Sequence, residues 1–247
     1  MTRLSVNVNK VALLRNSRSG TVPDVVKTAR LALEAGAAGI TIHPRPDQRH
    51  IRPEDVQHLT QLLAEPAYTD RELNIEGNPF QAPYMSIVKQ ARPAQCTLVP
   101  DDPNQATSDH GWNPAMDLPR LEPVVAELRK LGCRVSLFMD PDDQLIESVP
   151  PTGADRIELY TETFAIAHAR GGPELEQTHL KFATAAAKAQ DLGLGVNAGH
   201  DLNQVNLGRF LTIPKILEVS IGHALIADAL ETGLSSIVKA YLRLVEQ

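Results

Sequence analysis

The sequence predicts an α/β fold, a closed (β/α)8 or TIM barrel of eight parallel strand–helix units, spanning 1–247 as a single domain with extra loop segments. Three observations carry this expectation. First, one pattern recurs: an Ala- and Leu-rich helical stretch ends at Gly, a short β-branched run follows, and polar residues close it, as at 34–43, 130–140, 153–160 and 192–200. Second, these runs are too short and too apolar for a half-exposed antiparallel sheet, and their alternation with helices argues for parallel βαβ units. Third, 247 residues with 43% apolar types are enough for eight such units around one core, which suits a closed barrel better than an open doubly wound sheet.

Taken in order, the strands are expected near 4–9, 38–43, 72–76, 95–99, 133–139, 155–160, 194–198 and 217–221. The first helix, 23–34, has Pro23 near its first position and Val25, Ala29, Ala32 and Leu33 on one face. Further helices are expected near 53–65, 79–91, 117–131, 141–148, 174–191, 202–211 and 223–245. Gly36, Gly132, Gly153 and Gly193 fall where a helix end adopts left-handed backbone. The segments 101–116 and 161–173 are long for ordinary connections and are expected as loops, the first as a lid or binding loop.

Composition narrows the function. A net charge of −6 with scattered Lys and Arg repels polyanions, and 4% aromatic residues give no stacking surface, so nucleic acid is not an expected partner. Any phosphate affinity must be local. Cys96 and Cys133 each lie in an apolar strand run, where a free thiol behaves as a small hydrophobe. No apolar stretch approaches the roughly 20 residues of a membrane span, and no charged-then-apolar leader precedes the first strand. A soluble cytoplasmic protein without a membrane partner is the expectation.

Strand carboxyl ends converge on one mouth of such a barrel, and the chemistry sits there. Here they carry Asn7 and Asn9, then His43, Arg45, Arg49 and His50, then Glu76, Asp140, Glu158 with Tyr160, Asn197 with His200, and Gly222 with His223. Four of the eight histidines thus fall at one rim. His exchanges protons near neutrality, and Glu joins it where burial raises its pKa. No short-range ligand motif such as His-Glu-x-x-His links His43, Glu76 and His200, so no metal is expected. The passage from the last strand through Gly222 offers free backbone N–H groups and a positive helix end to an anion. Arg15 and Arg18, in the loop after the first strand, are candidates for a second anion site. Singly, each residue is also explained as a polar group closing a strand, and Gly222 as a tight turn. Residue types alone leave open an aldolase or epimerase of a phosphorylated substrate, or a barrel that only binds such ligands. A Schiff-base aldolase would need a strand Lys, and none of the eight runs has one.

The segments 14–18, 39–51, 74–76, 97–100, 197–200 and 220–223 follow in order and spacing those of one family, and the chain resembles the pyridoxine 5′-phosphate synthases over nearly its whole length. The resemblance implies condensation of 1-deoxy-D-xylulose 5-phosphate with 3-amino-2-oxopropyl phosphate, two phosphorylated substrates, without metal or cofactor, by a homo-oligomer that is an octamer. It implies that His43 and Glu76 accept protons and that His200 donates one. Arg45, His50 and Thr107 would hold the deoxyxylulose phosphate; Asn7, Arg18, Asp201, Gly222 and His223 would hold the amino-ketone phosphate. The chain departs from the common pattern at Asn9 and Lys10, where Asp and His are usual, and at Asp201, where Gly is usual. Lys10 still suits a phosphate as a point charge, and Asp201 is placed to offer its N–H or to cap the next helix. Leu211, Ile213, Ile216 and Leu217 are the apolar residues expected to serve assembly.

Overall fold

The computed structural model describes residues 1–105 and 107–246. Strands β1 (Arg3–Asn7), β2 (Gly39–Ile42), β3 (Glu72–Gly77), β4 (Gln95–Leu98), β5 (Arg134–Met139), β6 (Arg156–Leu159), β7 (Gly195–Ala198) and β8 (Ile216–Ile221) pair in parallel in chain order. The barrel closes where β8 pairs with β1, Val6 opposite Ile221.

Alternation along each strand decides which side chains meet the helices. Leu4, Val6, Ile40, Ile42, Ile75, Val135, Leu137 and Val219 are buried in one cluster shared with helix residues such as Ala29, Leu59 and Val238. The residues between them turn to the barrel axis and are polar. Ser5 Oγ and Thr41 Oγ1 lie 2.7 Å apart, Asn74 Nδ2 donates to Thr41 Oγ1 at 3.4 Å, and Thr97 Oγ1 donates to Asn74 Oδ1 at 3.1 Å. The hydrophobic core is therefore the shell between strands and helices, where each buried aliphatic side chain contributes roughly 1.5–3 kcal/mol. Inside the barrel, Val99, Phe138 and Tyr160 form a separate apolar cluster at the upper end.

The lower end, where the strands begin, is closed by paired charge. Glu72 accepts from Arg3 NH1 at 2.7 Å and Arg134 NH2 at 2.5 Å, and Arg134 Nε also donates to Gln95 Oε1 at 2.8 Å. Gln95 Nε2 in turn donates to Glu218 Oε1 at 3.0 Å, and Arg156 NH1 donates to Asn197 Oδ1 at 3.0 Å.

The helices are α1 (Asn9–Asn16), α2 (Val25–Glu34), α3 (Pro53–Leu63), α4 (Tyr84–Ala91), α5 (Pro114–Lys130), α6 (Asp143–Glu147), α7 (Glu162–Arg170), α8 (Gly172–Asp191), α9 (Leu207–Phe210), α10 (His223–Thr232) and α11 (Leu234–Val245). All eight expected strands form, and Gly36, Gly132, Gly153 and Gly193 have positive φ as anticipated. Two helices replace expected loops. Helix α1 has no side-chain cap to announce it, and its buried Arg15 is held by Asp55 through two bonds of 2.5 and 2.9 Å. Arg15 is thus a structural ion pair and not an anion site, and Asn9 opens a helix instead of ending a strand. In the segment 161–173, Phe164 and Ala167 anchor α7 before Gly171, at φ 70°, turns the chain into α8. The single helix expected at 223–245 breaks at Gly233, φ 83°. Residues 101–105 and 107–113 are irregular but pinned: Trp112 is buried and donates from Nε1 to Leu98 O at 2.9 Å.

Candidate active site

The upper ends of the strands surround a cavity of about 390 Å³. Asn7, His43, Glu76, Glu158, Ser220 and Gly222 reach it from the barrel; Asn9 and Lys10 reach it from α1. Arg45, Arg49 and His50 come from the loop after β2, Thr107 and Ser108 from the loop after β4, and His200 and Asp201 from the loop after β7. His223 and Ala224 begin α10. Twelve of the thirteen residues expected from sequence therefore line one cavity; the exception is Arg18, which is exposed just after α1 and is not among the lining residues.

A chain of amide contacts sets the first wall. Asn7 Oδ1 accepts from the Asn9 N–H at 3.0 Å, Asn9 Oδ1 accepts from the His43 N–H at 2.9 Å, and Asn7 Nδ2 donates to Glu76 Oε2 at 3.4 Å. Asn9 thus fixes the backbone at the end of β2 and leaves the His43 ring to face Glu76, with Nδ1 4.0 Å from Oε2. A Cβ on Gly222 would lie 3.1 Å from Asn7 Cβ, and one on Gly199 would lie 2.7 Å from Ser220 O and 3.0 Å from Glu158 Oε1. Both glycines keep side chains of the wall in place. The first N–H groups of α10, which have no partner within the helix, open at this wall beside Gly222.

The opposite wall is cationic and tied to the loop above it. Arg45 pairs with buried Asp101, whose Oδ2 also accepts from Ser108 Oγ at 2.8 Å. Arg45 NH1 and Arg49 NH1 both donate to Gln105 O, at 3.0 and 2.8 Å. Two guanidinium groups thereby fasten Asp101 and Gln105, and through Asp101 also Ser108, beside the cavity. His50 Nδ1 is buried with no protein partner, and the ring sits edge-on to His43 with centroids 6.1 Å apart. On the third side, His200 Nε2 lies 2.8 Å from Thr107 Oγ1, its Nδ1 lies 3.0 Å from Asp201 Oδ2, and its ring packs edge-on against Tyr160. Thr161 Oγ1 donates to the His200 carbonyl. The Asp201 carboxylate meets this imidazole and does not cap a helix; α9 starts only at Leu207.

Burial and mutual repulsion organise the proton inventory. Burial, with Arg45, His50 and Arg49 nearby, holds His43 well below the usual imidazole range, so its ring is a neutral base. Burial, reinforced by Glu158 and Asp101, holds Glu76 well above the usual carboxyl range. Burial and the Glu218 charge push Glu158 up to about 8. Burial followed by Arg45, Arg49 and Lys10 brings His50 down to about 4. His43 and His50 are thereby neutral acceptors at neutral pH, Glu158 keeps its proton as a donor, and Glu76 is shifted toward its protonated form.

Glu158 was expected at the mouth as a strand-end residue but was given no catalytic or binding role. It is 4% exposed, and its Oε2 has no protein partner. Its signal was a carboxylate inside the apolar run Ile157-Glu158-Leu159, a pattern that a purely structural strand avoids. Among the described residues, no group of three or more His, Cys, Asp or Glu side chains is arranged to hold a metal ion, and no helix is long and apolar enough to cross a membrane.

A parallel barrel with acid–base groups, cationic side chains and a helix N-terminus around one mouth defines a TIM-barrel enzyme of proton-transfer chemistry on anionic small molecules. Solved structures with this fold include 3-keto-L-gulonate-6-phosphate decarboxylase from Vibrio cholerae (TM-score 0.65, 11% identity, 99% of this chain and 97% of that one). Thiamine phosphate pyrophosphorylase from Pyrococcus furiosus is similar in the same way (TM-score 0.61, 12% identity, 99% and 95%). At such identity the likeness concerns the fold alone. The profile of the family described as pyridoxal phosphate biosynthesis protein PdxJ matches residues 4–247. The chain is also 52% identical to pyridoxine 5′-phosphate synthase of Albidiferax ferrireducens, over 100% of this chain and 98% of that protein. It is 52% identical to pyridoxine 5′-phosphate synthase of Xanthomonas axonopodis pv. citri, over 98% and 95%. The chain belongs to the PdxJ family.

Proposed function

We propose that this chain is a pyridoxine 5′-phosphate synthase, joining 1-deoxy-D-xylulose 5-phosphate to 3-amino-2-oxopropyl phosphate with release of phosphate and water. The observation that carries the reading is the meeting of His43, Glu76, Glu158 and His200 around one cavity in a chain 52% identical to such synthases over its length. Amine attack on a ketone, loss of phosphate and ring closure each move a proton at a different atom, and one acid–base group would not reach them all.

His43, neutral and buried, takes the proton that frees the amine or opens the enol. Glu76 accepts protons once the substrate ammonium stands beside it, because a nearby cation lowers a carboxyl that burial and neighbouring carboxyls hold high. Glu158 supplies a second protonated carboxyl deeper in the barrel, and His200 gives a proton to a departing oxygen. One phosphate lies at the α10 N-terminus with His223, Asn7 and the Asp201 N–H; the other lies toward Arg45, His50 and Lys10. With both substrates in this cavity, a bimolecular encounter becomes a local one and the imine is kept from water. Thr107, expected to hold substrate, would do so from its place against His200.

The chain is proposed to act as one barrel domain in the cytoplasm and to assemble with copies of itself, as an octamer by its resemblance. Ile213 and Ile216, expected at the assembly surface, are 2% and 4% exposed within the single chain, so they serve its own core. Leu217, at 38% exposed, remains available for contacts between copies, as do Leu180, Val205 and Leu230 at 66%, 80% and 77%. Arg18, outside the mouth of its own chain, would reach substrate only in such an assembly. Light scattering at micromolar concentration should give a mass well above one 26.9 kDa subunit; a monomer would overturn the assembly.

Incubation of the purified protein with both substrates should yield pyridoxine 5′-phosphate and inorganic phosphate, with activity that survives exhaustive chelation. No product from fresh substrates would overturn the reading. Loss on chelation, restored by one divalent ion, would overturn the acid–base assignment.

A further inference from the structure

The His200 ring is engaged at both nitrogens, Nδ1 by Asp201 Oδ2 at 3.0 Å and Nε2 by Thr107 Oγ1 at 2.8 Å. An ionised carboxylate only accepts, so the Nδ1 contact requires the proton to be on Nδ1. In the neutral ring Nε2 is then the bare nitrogen, turned to Thr107 and the cavity; in the imidazolium it carries the transferable proton. Partial burial alone would raise the Asp201 carboxyl, yet the bond to His200, helped by the charges of His200 and His223, holds it below the usual carboxylate range.

Backbone conformation makes the carboxylate at this position informative. Asp201 has φ 60°, in the left-handed region where glycine is at ease and a side chain is disfavoured. Asn206 Nδ2 holds that turn by donating to Asp201 O at 3.1 Å. The turn itself would accept glycine, and the side chain here makes its hydrogen bond to the imidazole of His200. A direct role of the carboxylate on a substrate phosphate is excluded by like charge.

We propose that Asp201 is a positioning residue for proton transfer: its carboxylate fixes His200 as the Nδ1–H tautomer, directs Nε2 into the cavity and stabilises the imidazolium. This rests on the proposed role of His200 as proton donor. In the step, the Nε2–H bond breaks, the proton passes to the lone pair of the departing oxygen, and the ring returns to its neutral Nδ1–H form. Asp201 stays ionised throughout. Thr107 holds Nε2 until the substrate oxygen takes its place.

Steady-state kinetics and ¹⁵N-histidine NMR of the full chain test this with Asp201→Asn, Asp201→Gly and His200→Asn. Both Asp201 variants should lower kcat by roughly 10–100-fold with both KM values within about threefold, as expected when an orienting partner is lost. The His200 ring signals should move from the Nδ1–H form toward the Nε2–H form. Asp201→Gly keeps the turn and its N–H, so a residue serving only the backbone would leave kcat at the parent value. Parental kcat in Asp201→Gly, or an unchanged tautomer in Asp201→Asn, overturns the proposal. His200→Asn separates the two readings: turnover kept there removes His200 from the chemistry, whereas turnover lost there and kept in both Asp201 variants removes Asp201 alone.

Discussion

Glu72 and Glu76 stand four residues apart on β3, both directed into the barrel, and their surroundings treat them oppositely. Burial works against Glu72, but hydrogen bonds and charge from Arg134 and Arg3 hold its carboxyl below the usual range. Glu76, at the other end of the strand, has Asn7 at 3.4 Å, His43 at 4.0 Å and two further carboxylates nearby, and burial holds it high. The same contrast runs around the barrel. Lower-end charges are matched pairwise through Arg3, Glu72, Arg134, Gln95 and Glu218, whereas Glu158 Oε2, His50 Nδ1 and Asp101 Oδ1 toward the upper end have no protein partner. A buried polar atom without a partner costs about 1–3 kcal/mol, so the upper end is kept at the expense of stability.

The largest expected effect breaks the upper end alone. His43→Asn and His200→Asn should each lower kcat by roughly 10²–10⁴ while leaving the unfolding free energy within about 1 kcal/mol of the parent, as read by stopped assay and urea titration. If both variants keep turnover within about threefold, the proton carriers have been misassigned. Next in size, Arg134→Met at the lower end should destabilise by about 1–3 kcal/mol, an amount reduced by the partial exposure of the pair, and leave kcat near the parent value.

A smaller effect lies in the pH dependence of stability. The folded chain holds a proton on Glu158 up to about 8, from an ordinary value of 4.5, so between these values the folded state binds more protons than the unfolded one. Stability from this group is present below about pH 4.5 and is lost as pH rises toward 8. Glu158→Gln should flatten the fall in unfolding free energy between pH 5 and pH 8 without abolishing it, because Glu76 contributes with the same sign. An unchanged slope would place Glu158 in a better-solvated setting than its 4% exposure indicates.

The contrast also marks what the sequence could carry. Strand positions were legible because Gly36, Gly132, Gly153 and Gly193 each end a helix at positive φ just before an apolar run, a local signal. Helix α1 was not, since it has no side-chain cap and its buried Arg15 is held by Asp55 forty residues away. Helix α7 was hidden by Gly171-Gly172-Pro173, which reads as a loop but here joins two helices. At the site, His43, His50, His200 and His223 were found by residue type at strand ends, and the cavity gathers all four. Glu158 was placed at the mouth but given no role, because a lone acid in a strand gains its meaning from distant neighbours, above all Glu218 on β8 and Gly199 just after β7. The fastening of Arg45 and Arg49 to Gln105 likewise depends on contacts more than fifty residues apart in the chain.

Glu72→Gln and Glu76→Gln, measured together for unfolding free energy and kcat at pH 7.5, test most directly whether one strand divides its carboxylates between stability and chemistry. Glu76→Gln should keep or raise the unfolding free energy while lowering kcat by roughly 10²-fold or more, and Glu72→Gln should lower the unfolding free energy by about 1–2 kcal/mol while leaving kcat within about threefold. The reverse pattern, or equal losses of both quantities in both variants, would contradict the division of the barrel into a stabilising lower end and a catalytic upper end.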